Sequence, residues 1–318
     1  MLIAMLDPQA HWLLKLLLDN GVPPIQTQTP TQARLGYESR KSFSQPEPIQ
    51  MHLVEDHWVV VDDEKIKVRR YVADGVLNHD RGGALIYLHG GGWTIGSIES
   101  HDVMCRELSA KAQCQVFSVD YRLAPESPFP AAYNDAVAVF RWLQEQIKTH
   151  DEWRLDPQKV AMGGDSAGGN LASAACIGLL GDPIRPCFQL LIYPATNMLC
   201  TSNSHKTLGR GYLLTKEAID WFSGHYIQNP KDLEDWRASP LLAPSHEGLP
   251  AAFVLVAGFD PLRDEGLEYA DALSKAGVAT EVVNFERQIH GFITMGRILR
   301  EANTAVSLCA LSLKAALS

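Results

Sequence analysis

A serine flanked by glycines two residues away on each side lies near the middle of the chain, in Gly163-Gly164-Asp165-Ser166-Ala167-Gly168-Gly169-Asn170. A serine hydroxyl is a weak nucleophile until a base takes its proton, and N–H groups must then hold the charge that develops. The spacing Gly164-x-Ser166-x-Gly168 suits that task. Lys159 to Met162 before it reads as the run-in of a buried strand, and Leu171 to Leu180 after it as an Ala-rich helix. A serine forced onto such a turn is strained, with its hydroxyl exposed at the top of a sheet. A Cβ at either flanking glycine collides with the neighbouring strand and helix. The helix that follows adds free N–H groups and a favourable dipole. The competing reading is a small-residue loop that merely permits close packing, so partners for the hydroxyl must be sought elsewhere in the chain.

A base needs an acid to orient it, and in sheets of this kind the order along the chain is Ser, then Asp or Glu, then His. Four histidines follow Ser166: His205, His225, His246 and His290. The first three fall in a long insertion. His290, in Arg287-Gln288-Ile289-His290-Gly291-Phe292, follows the last expected strand and is the candidate base. Asp260 stands at the tip of Gly258-Phe259-Asp260-Pro261, directly after an apolar strand, and is the candidate orienter. Asp264 and Glu265 better suit the first turn of the next helix. Glu286 is the fallback acid, awkwardly close in sequence to His290.

His89-Gly90-Gly91-Gly92-Trp93 follows another apolar strand. Its three glycines bring bare N–H groups to a developing oxyanion, alongside the N–H of Ala167. His89 is expected to brace the loop. Trp93, with Tyr193 at the end of the strand over 188–193, is expected to contact substrate. Glycine runs also cradle phosphates, but no G-K-[ST] follows and no G-x-G-x-x-G has an acid downstream. No metal-ligand spacing such as H-E-x-x-H occurs, so neither a metal nor a cofactor is expected.

These residues need a scaffold. The 318 residues are 46% hydrophobic and 20% charged, ordinary for a globular α/β chain that can form one domain. A net charge of −9 argues against nucleic acid or an anionic membrane surface as partner. The six cysteines form no C-x-x-C pair and are expected as reduced, buried thiols. No signal peptide is read at the N-terminus and no run reaches membrane-spanning length, so a cytoplasmic location is expected.

In chain order, helices are expected over 8–19 and 30–39, then an antiparallel hairpin over 52–72 turning at Asp62-Asp63-Glu64. Strands at 84–88, 115–119, 160–163, 188–193, 253–257 and 280–285 then alternate with helices near 101–112, 131–148, 168–180, 264–276 and 301–316. Continuous apolar runs such as Ala84 to Leu88 mark parallel strands covered on both faces. Nearly sixty residues separate Tyr193 from the strand at 253, with a helix at about 215–227. That insertion is expected to roof the site together with the N-terminal helices. The expected division is 1–45 and 196–245 as cap, with 46–195 and 246–318 as the catalytic α/β body.

Four blocks give the chain a resemblance to the hormone-sensitive-lipase-like carboxylesterases, the bacterial family IV esterases of the α/β-hydrolase fold. They are His89 to Trp93, Asp120-Tyr121-Arg122-Leu123-Ala124-Pro125-Glu126, Gly164 to Asn170, and Asp260 to Glu265 with His290-Gly291-Phe292. The resemblance implies Ser166 as nucleophile, His290 as base and Asp260 as its orienter. It implies Gly90, Gly91 and Ala167 as oxyanion donors, with Gly92 as alternative to either of the first two. Arg122 and Glu126 are expected to form an ion-pair frame under the site. The implied activity is hydrolysis of short- to medium-chain acyl esters of small molecules, by a chain that resemblance suggests as a homodimer. Two other activities share the machinery: amide hydrolysis, as in arylacetamide deacetylases, and ligand binding without turnover, as in plant gibberellin receptors. The latter lack the histidine that this chain retains as His290.

Overall fold

In the computed structural model, which describes residues 5–78 and 81–318, an eight-stranded sheet runs through the molecule. Two helices come first, α1 (Pro8–Asp19) and α2 (Pro30–Ser39), followed by the short α3 (Lys41–Ser44). The first is capped by Asp7, whose carboxylate accepts from the N–H groups of Gln9 and Ala10. The second is capped by a reciprocal Thr29–Gln32 box. Both have proline in the first turn, where the missing N–H costs nothing.

Strands β1 (Leu53–Val61) and β2 (Glu64–Val72) form the expected hairpin, pairing Val61 with Glu64 across Asp62 and Asp63. Both turn residues are left-handed, at φ 49° and 64°, as a two-residue hairpin requires. Glu64 therefore belongs to the strand and not to the turn. In β1 the buried face carries Val59 and Val61, while Trp58 and Val60 face solvent.

From β3 (Gly82–Leu88) onward, strands and helices alternate. They are α4 (Asp102–Ala112), β4 (Gln115–Asp120), α5 (Ala131–Thr149), β5 (Leu155–Asp165), α6 (Ala167–Gly178) and β6 (Phe188–Ile192). After β6 the chain leaves the sheet for α7 (Asn203–Leu208) and α8 (Lys216–Tyr226), then returns as β7 (Ala251–Phe259), α9 (Arg263–Lys275), β8 (Thr280–Ile289) and α10 (Arg300–Ala316). The order across the sheet is β1-β2-β4-β3-β5-β6-β7-β8, antiparallel up to β4 and parallel from there.

Strands β3 and β7 are buried on both faces, which is why they read as unbroken apolar runs. One face carries a core with Val137, Phe140, Leu143 and Ile147 of α5 and Leu171 of α6. The other carries Leu108 of α4, Leu313 of α10 and Leu13 of α1. Because the central strands run parallel, the turns leaving β3, β5, β7 and β8 all emerge at one rim. Among the described residues no helix is long and apolar enough to cross a membrane.

Candidate active site

At that rim Ser166 follows β5 as the cap residue of α6, with φ 56° and ψ −117°, a backbone that side chains seldom adopt. The reason the turn can be so sharp is visible at its glycines. A Cβ on Gly164 would lie 2.2 Å from the Leu88 carbonyl oxygen, and one on Gly168 would lie 1.8 Å from it. Helix α6 thus crosses β3 with bare backbone, and the serine is thrust outward.

Asp260 leaves the end of β7 and His290 the end of β8. Although Ser166 and His290 are 124 positions apart in sequence, His290 Nε2 is 2.9 Å from Ser166 Oγ. Its Nδ1 is 2.7 Å from Asp260 Oδ2. Asp260 is fully buried and its other oxygen accepts the N–H of Leu262 at 2.8 Å, so the carboxylate is held at both ends. The remaining histidines go elsewhere: His205 meets Glu265, His246 meets the Pro240 carbonyl, and His225 packs on Trp221. Glu286, the fallback acid, is exposed.

Tyr193 does not contact the cavity. It is 1% exposed, and its ring packs 4.7 Å from that of His290. The expectation that it touches substrate is corrected: β6 ends one residue earlier, the backbone turns at φ 34°, and the side chain supports the imidazole from within. Trp93 does line the cavity, stacked flat on Tyr226 at 4.5 Å.

Gly90 is also reassigned. Its N–H donates to Asp165 Oδ1 at 2.9 Å, which leaves it nothing for an oxyanion, and it does not border the cavity. Gly91, Gly92 and Ala167 do border it. Among the described residues their N–H groups have no backbone or side-chain acceptor, so Gly92 takes the place expected for Gly90. A Cβ on Gly91 would meet the Ile95 carbonyl at 2.2 Å and one on Gly92 the Phe222 ring at 2.3 Å, which explains the glycines.

The residue missed in the sequence is Asp165, the variable position of the serine motif. Buried at 3% exposure, it accepts from Tyr87 Oη at 2.8 Å as well as from Gly90, with the His101 ring beside it. Burial works to raise its pKa, but His101 and the Tyr87 hydroxyl outweigh this and hold the carboxyl below its usual range. Asp165 thereby ties the glycine loop to the serine turn. His89 braces the same loop. Burial and its neighbour His101 push it down to about 3, so its neutral Nδ1–H donates to the Gly90 carbonyl at 2.8 Å. Tyr121 stacks on His89 at 4.3 Å and donates to its carbonyl oxygen.

Replacing Asp165 by Ala leaves the Tyr87 hydroxyl, the Gly90 N–H and the buried His101 ring without their carboxylate partner, a cost of about 1–3 kcal/mol for each unpaired donor. The expected result is a lower melting temperature and a kcat reduced by about 10²–10³-fold, as when one oxyanion donor is lost. KM is expected to change little. Steady-state kinetics with a thermal melt measures both effects, and an unchanged kcat would remove Asp165 from the oxyanion loop's support.

Arg122 and Glu126 do not pair with each other. Arg122 grips Asp135 of α5 at 2.6 Å and reaches Asp62 in the hairpin turn. Glu126 points the opposite way and takes a two-pronged contact from Arg34 of α2 at 2.8 and 2.6 Å. Arg34 also donates to the carbonyls of Thr94 and Ala124, each at 2.8 Å. The N-terminal helices are thus fastened to the loop that carries Trp93.

The cavity above Ser166 and His290 measures about 1150 Å³. Leu13 and Leu17 of α1, Tyr37 of α2, Leu213, Leu214 and Phe222 of the insertion and Met295 wall it with apolar surface. An activated serine, unspent N–H donors and a largely apolar chamber define a hydrolase of acyl compounds with an apolar part.

The fold and this site are those of the α/β hydrolases, and a family model described as alpha/beta hydrolase fold matches residues 85–294. The chain belongs to that family, in its hormone-sensitive-lipase-like branch. It is 40% identical over 301 residues to the carboxylic ester hydrolase LipN of Mycobacterium tuberculosis, covering 91% of this chain and 77% of the relative. It is 41% identical over 224 residues to the ethyl acetate hydrolase of Pseudomonas putida, covering 70% of each. Among solved structures it superposes on ester-hydrolase EH1AB1 from the metagenome of Lake Arreo, complexed with a derivative of bipyridine phosphonate. The TM-score is 0.92 at 40% identity, over 98% of this chain and 99% of the other.

Proposed function

We propose that the protein is a serine carboxylesterase that hydrolyses short- to medium-chain acyl esters of small molecules through an acyl-enzyme. The observation that carries the reading is the relay from Asp260 through His290 to Ser166, opening on a cavity beside unspent N–H groups. Ser166 Oγ attacks the ester carbonyl as its proton passes to His290 Nε2. Asp260 holds Nδ1–H and balances the imidazolium. The N–H groups of Gly91, Gly92 and Ala167 receive the oxyanion, each donor lowering the barrier by roughly 3 kcal/mol. His290 then protonates the departing alcohol. Water, deprotonated by the same nitrogen, attacks the acyl-serine and releases the acid.

In this reading residues 1–45 and 196–245 form the cap over a catalytic body of 46–195 and 246–318. The names of the relatives support ester over amide substrates, ethyl acetate being a short ester. The reading also takes the protein to work in the cytoplasm, with support from its six unpaired thiols.

Initial rates on p-nitrophenyl esters from acetate to palmitate test the substrate class. Acetate to octanoate esters are expected to turn over at least about tenfold faster than palmitate. The first turnover is expected as a burst of p-nitrophenol stoichiometric with protein. Rates that rise steadily to palmitate would overturn the chain-length reading, and preference for a matched anilide would overturn the ester one.

A further inference from the structure

Behind the cavity wall a chain of polar side chains runs from the N-terminal helices to Asp165 and the oxyanion loop. At its centre is His101, the residue before α4, fully buried and outside the cavity lining. Its Nε2 faces the carboxylate of Asp165, 3.2 Å from Oδ1 and 3.4 Å from Oδ2. Its Nδ1 is 2.9 Å from Ser100 Oγ. Ser100 is itself fixed. Its hydroxyl accepts the N–H of Ser97 at 2.9 Å, its own N–H donates to Ser97 Oγ at 3.1 Å, and its carbonyl oxygen accepts from Gln45 Nε2 at 2.7 Å. Ser97 Oγ in turn donates to Glu38 of α2. The segment that presents His101 is thus held by side chains just before and just after α3.

We propose that His101 is a positioning residue for the oxyanion loop, acting through Asp165 to keep the N–H groups of Gly91 and Gly92 aimed at the reacting carbonyl. This role rests on the esterase reading and adds to it a residue that touches no substrate. Burial opposes the charge on Asp165, but His101 and Tyr87 outweigh it. Both oxygens of an ionised carboxylate only accept, so a ring proton lies on Nε2. Tyr87 Oη and the Gly90 N–H share Oδ1, and among the described residues His101 is the hydrogen-bond partner of Oδ2. It is therefore His101 that stops the carboxylate from turning about its own axis. Oδ2 also lies 2.2 Å from where a Cβ of Gly90 would stand, so a turn of the carboxylate presses on the loop. Gly91 and Gly92 follow directly, at φ 125° and 55°, and a rotation at Gly90 swings their N–H groups away from the oxyanion.

The ring is also packed on its faces. Those of His89, Tyr87 and Tyr37 lie 5.6, 6.2 and 6.3 Å from it. Phenylalanine at this position keeps a ring in that packing and removes both nitrogens. Glutamine gives up the ring and returns an N–H donor for Asp165. The two substitutions therefore separate hydrogen bonding from packing.

The test compares His101→Phe and His101→Gln with the unmodified protein. His101→Phe is expected to lower kcat on p-nitrophenyl acetate at least about tenfold, part of what loss of a whole oxyanion donor costs, with KM held within about twofold. Inhibition by a trifluoromethyl ketone, whose serine adduct places an oxyanion among the same N–H groups, is expected to weaken by about the same factor. His101→Gln is expected to recover kcat to within about threefold of the unmodified protein. Hydrogen–deuterium exchange read by mass spectrometry follows the loop without any ester hydrolysis. The peptide spanning 88–95 is expected to exchange at least about tenfold faster in His101→Phe, and near the unmodified rate in His101→Gln. Should His101→Phe not fold, Ser100→Ala takes its place: it removes the hydroxyl bracing Nδ1 and is expected to lower kcat about threefold. An unchanged kcat in the folded variant overturns the role of His101, as does an equal loss in His101→Phe and His101→Gln, or loop exchange no faster than in the unmodified protein. An unmodified protein inactive on esters, with the exchange result as expected, would sink the esterase reading and leave the hold of His101 on the loop standing.

Discussion

Ser166→Ala is expected to lower kcat on p-nitrophenyl esters by about a millionfold, to the residual rate that binding and the oxyanion donors supply. Among the described residues the hydroxyl is the only group at the rim with a base 2.9 Å away and a carboxylate 2.7 Å behind that base. Alanine keeps the Cβ, so the strained backbone at φ 56° and the packing of Gly164 and Gly168 against Leu88 are retained. The melting temperature is therefore expected to stay close to that of the unmodified protein, and the loss is one of chemistry. Ser166→Gly separates the two effects further. Glycine relieves the strain, so stability is expected to rise by about 1 kcal/mol while turnover stays abolished. A Ser166→Ala protein that retains near-normal turnover and gives no acyl adduct at this position would end the mechanism.

Asp260→Asn is expected to cost about ten-thousandfold in kcat, for a reason specific to how this carboxylate is held. Asp260 Oδ1 accepts the N–H of Leu262, and Oδ2 accepts from His290 Nδ1. An asparagine must keep its carbonyl oxygen on the Leu262 N–H, since its NH₂ cannot accept there. The NH₂ group then faces His290 Nδ1 and donates to it. This fixes the tautomer with the proton on Nε2, the atom that must accept the proton of Ser166. Volume and packing hardly change, so stability is expected to fall far less than activity does. Kinetics paired with a denaturant titration reads both. If Asp260→Asn keeps more than about a tenth of the activity, orientation of His290 comes from elsewhere, with Tyr193 beneath the ring as the first place to look.

Much of this was legible in one dimension because each feature has a local cause. Glycines flanking Ser166 are demanded by the contact with Leu88, unbroken apolar runs by burial on both faces, and the cap residues Asp7 and Thr29 by unpaired helix N–H groups. Order along the chain singles out Asp260 and His290, because parallel strands bring their ends to one rim whatever lies between them.

Where sequence pattern and structure differ, the deciding contact is made by a residue distant in sequence. Gly90 was a sound donor by type, yet its N–H is consumed by Asp165, 75 positions on. Arg122 and Glu126 are neighbours in sequence, but Asp135 and Arg34 claim them from opposite sides. Tyr193 sits beside the cavity in sequence order and beneath His290 in space. Residue types and spacings thus determined the chemistry and the scaffold, because the backbone and the hydrophobic effect act on local pattern. Only tertiary structure decided which N–H remained free, which ion pairs formed, and that His205 pairs with Glu265 and not with the serine, since a hydrogen-bonding group is assigned by whichever partner the fold brings nearest.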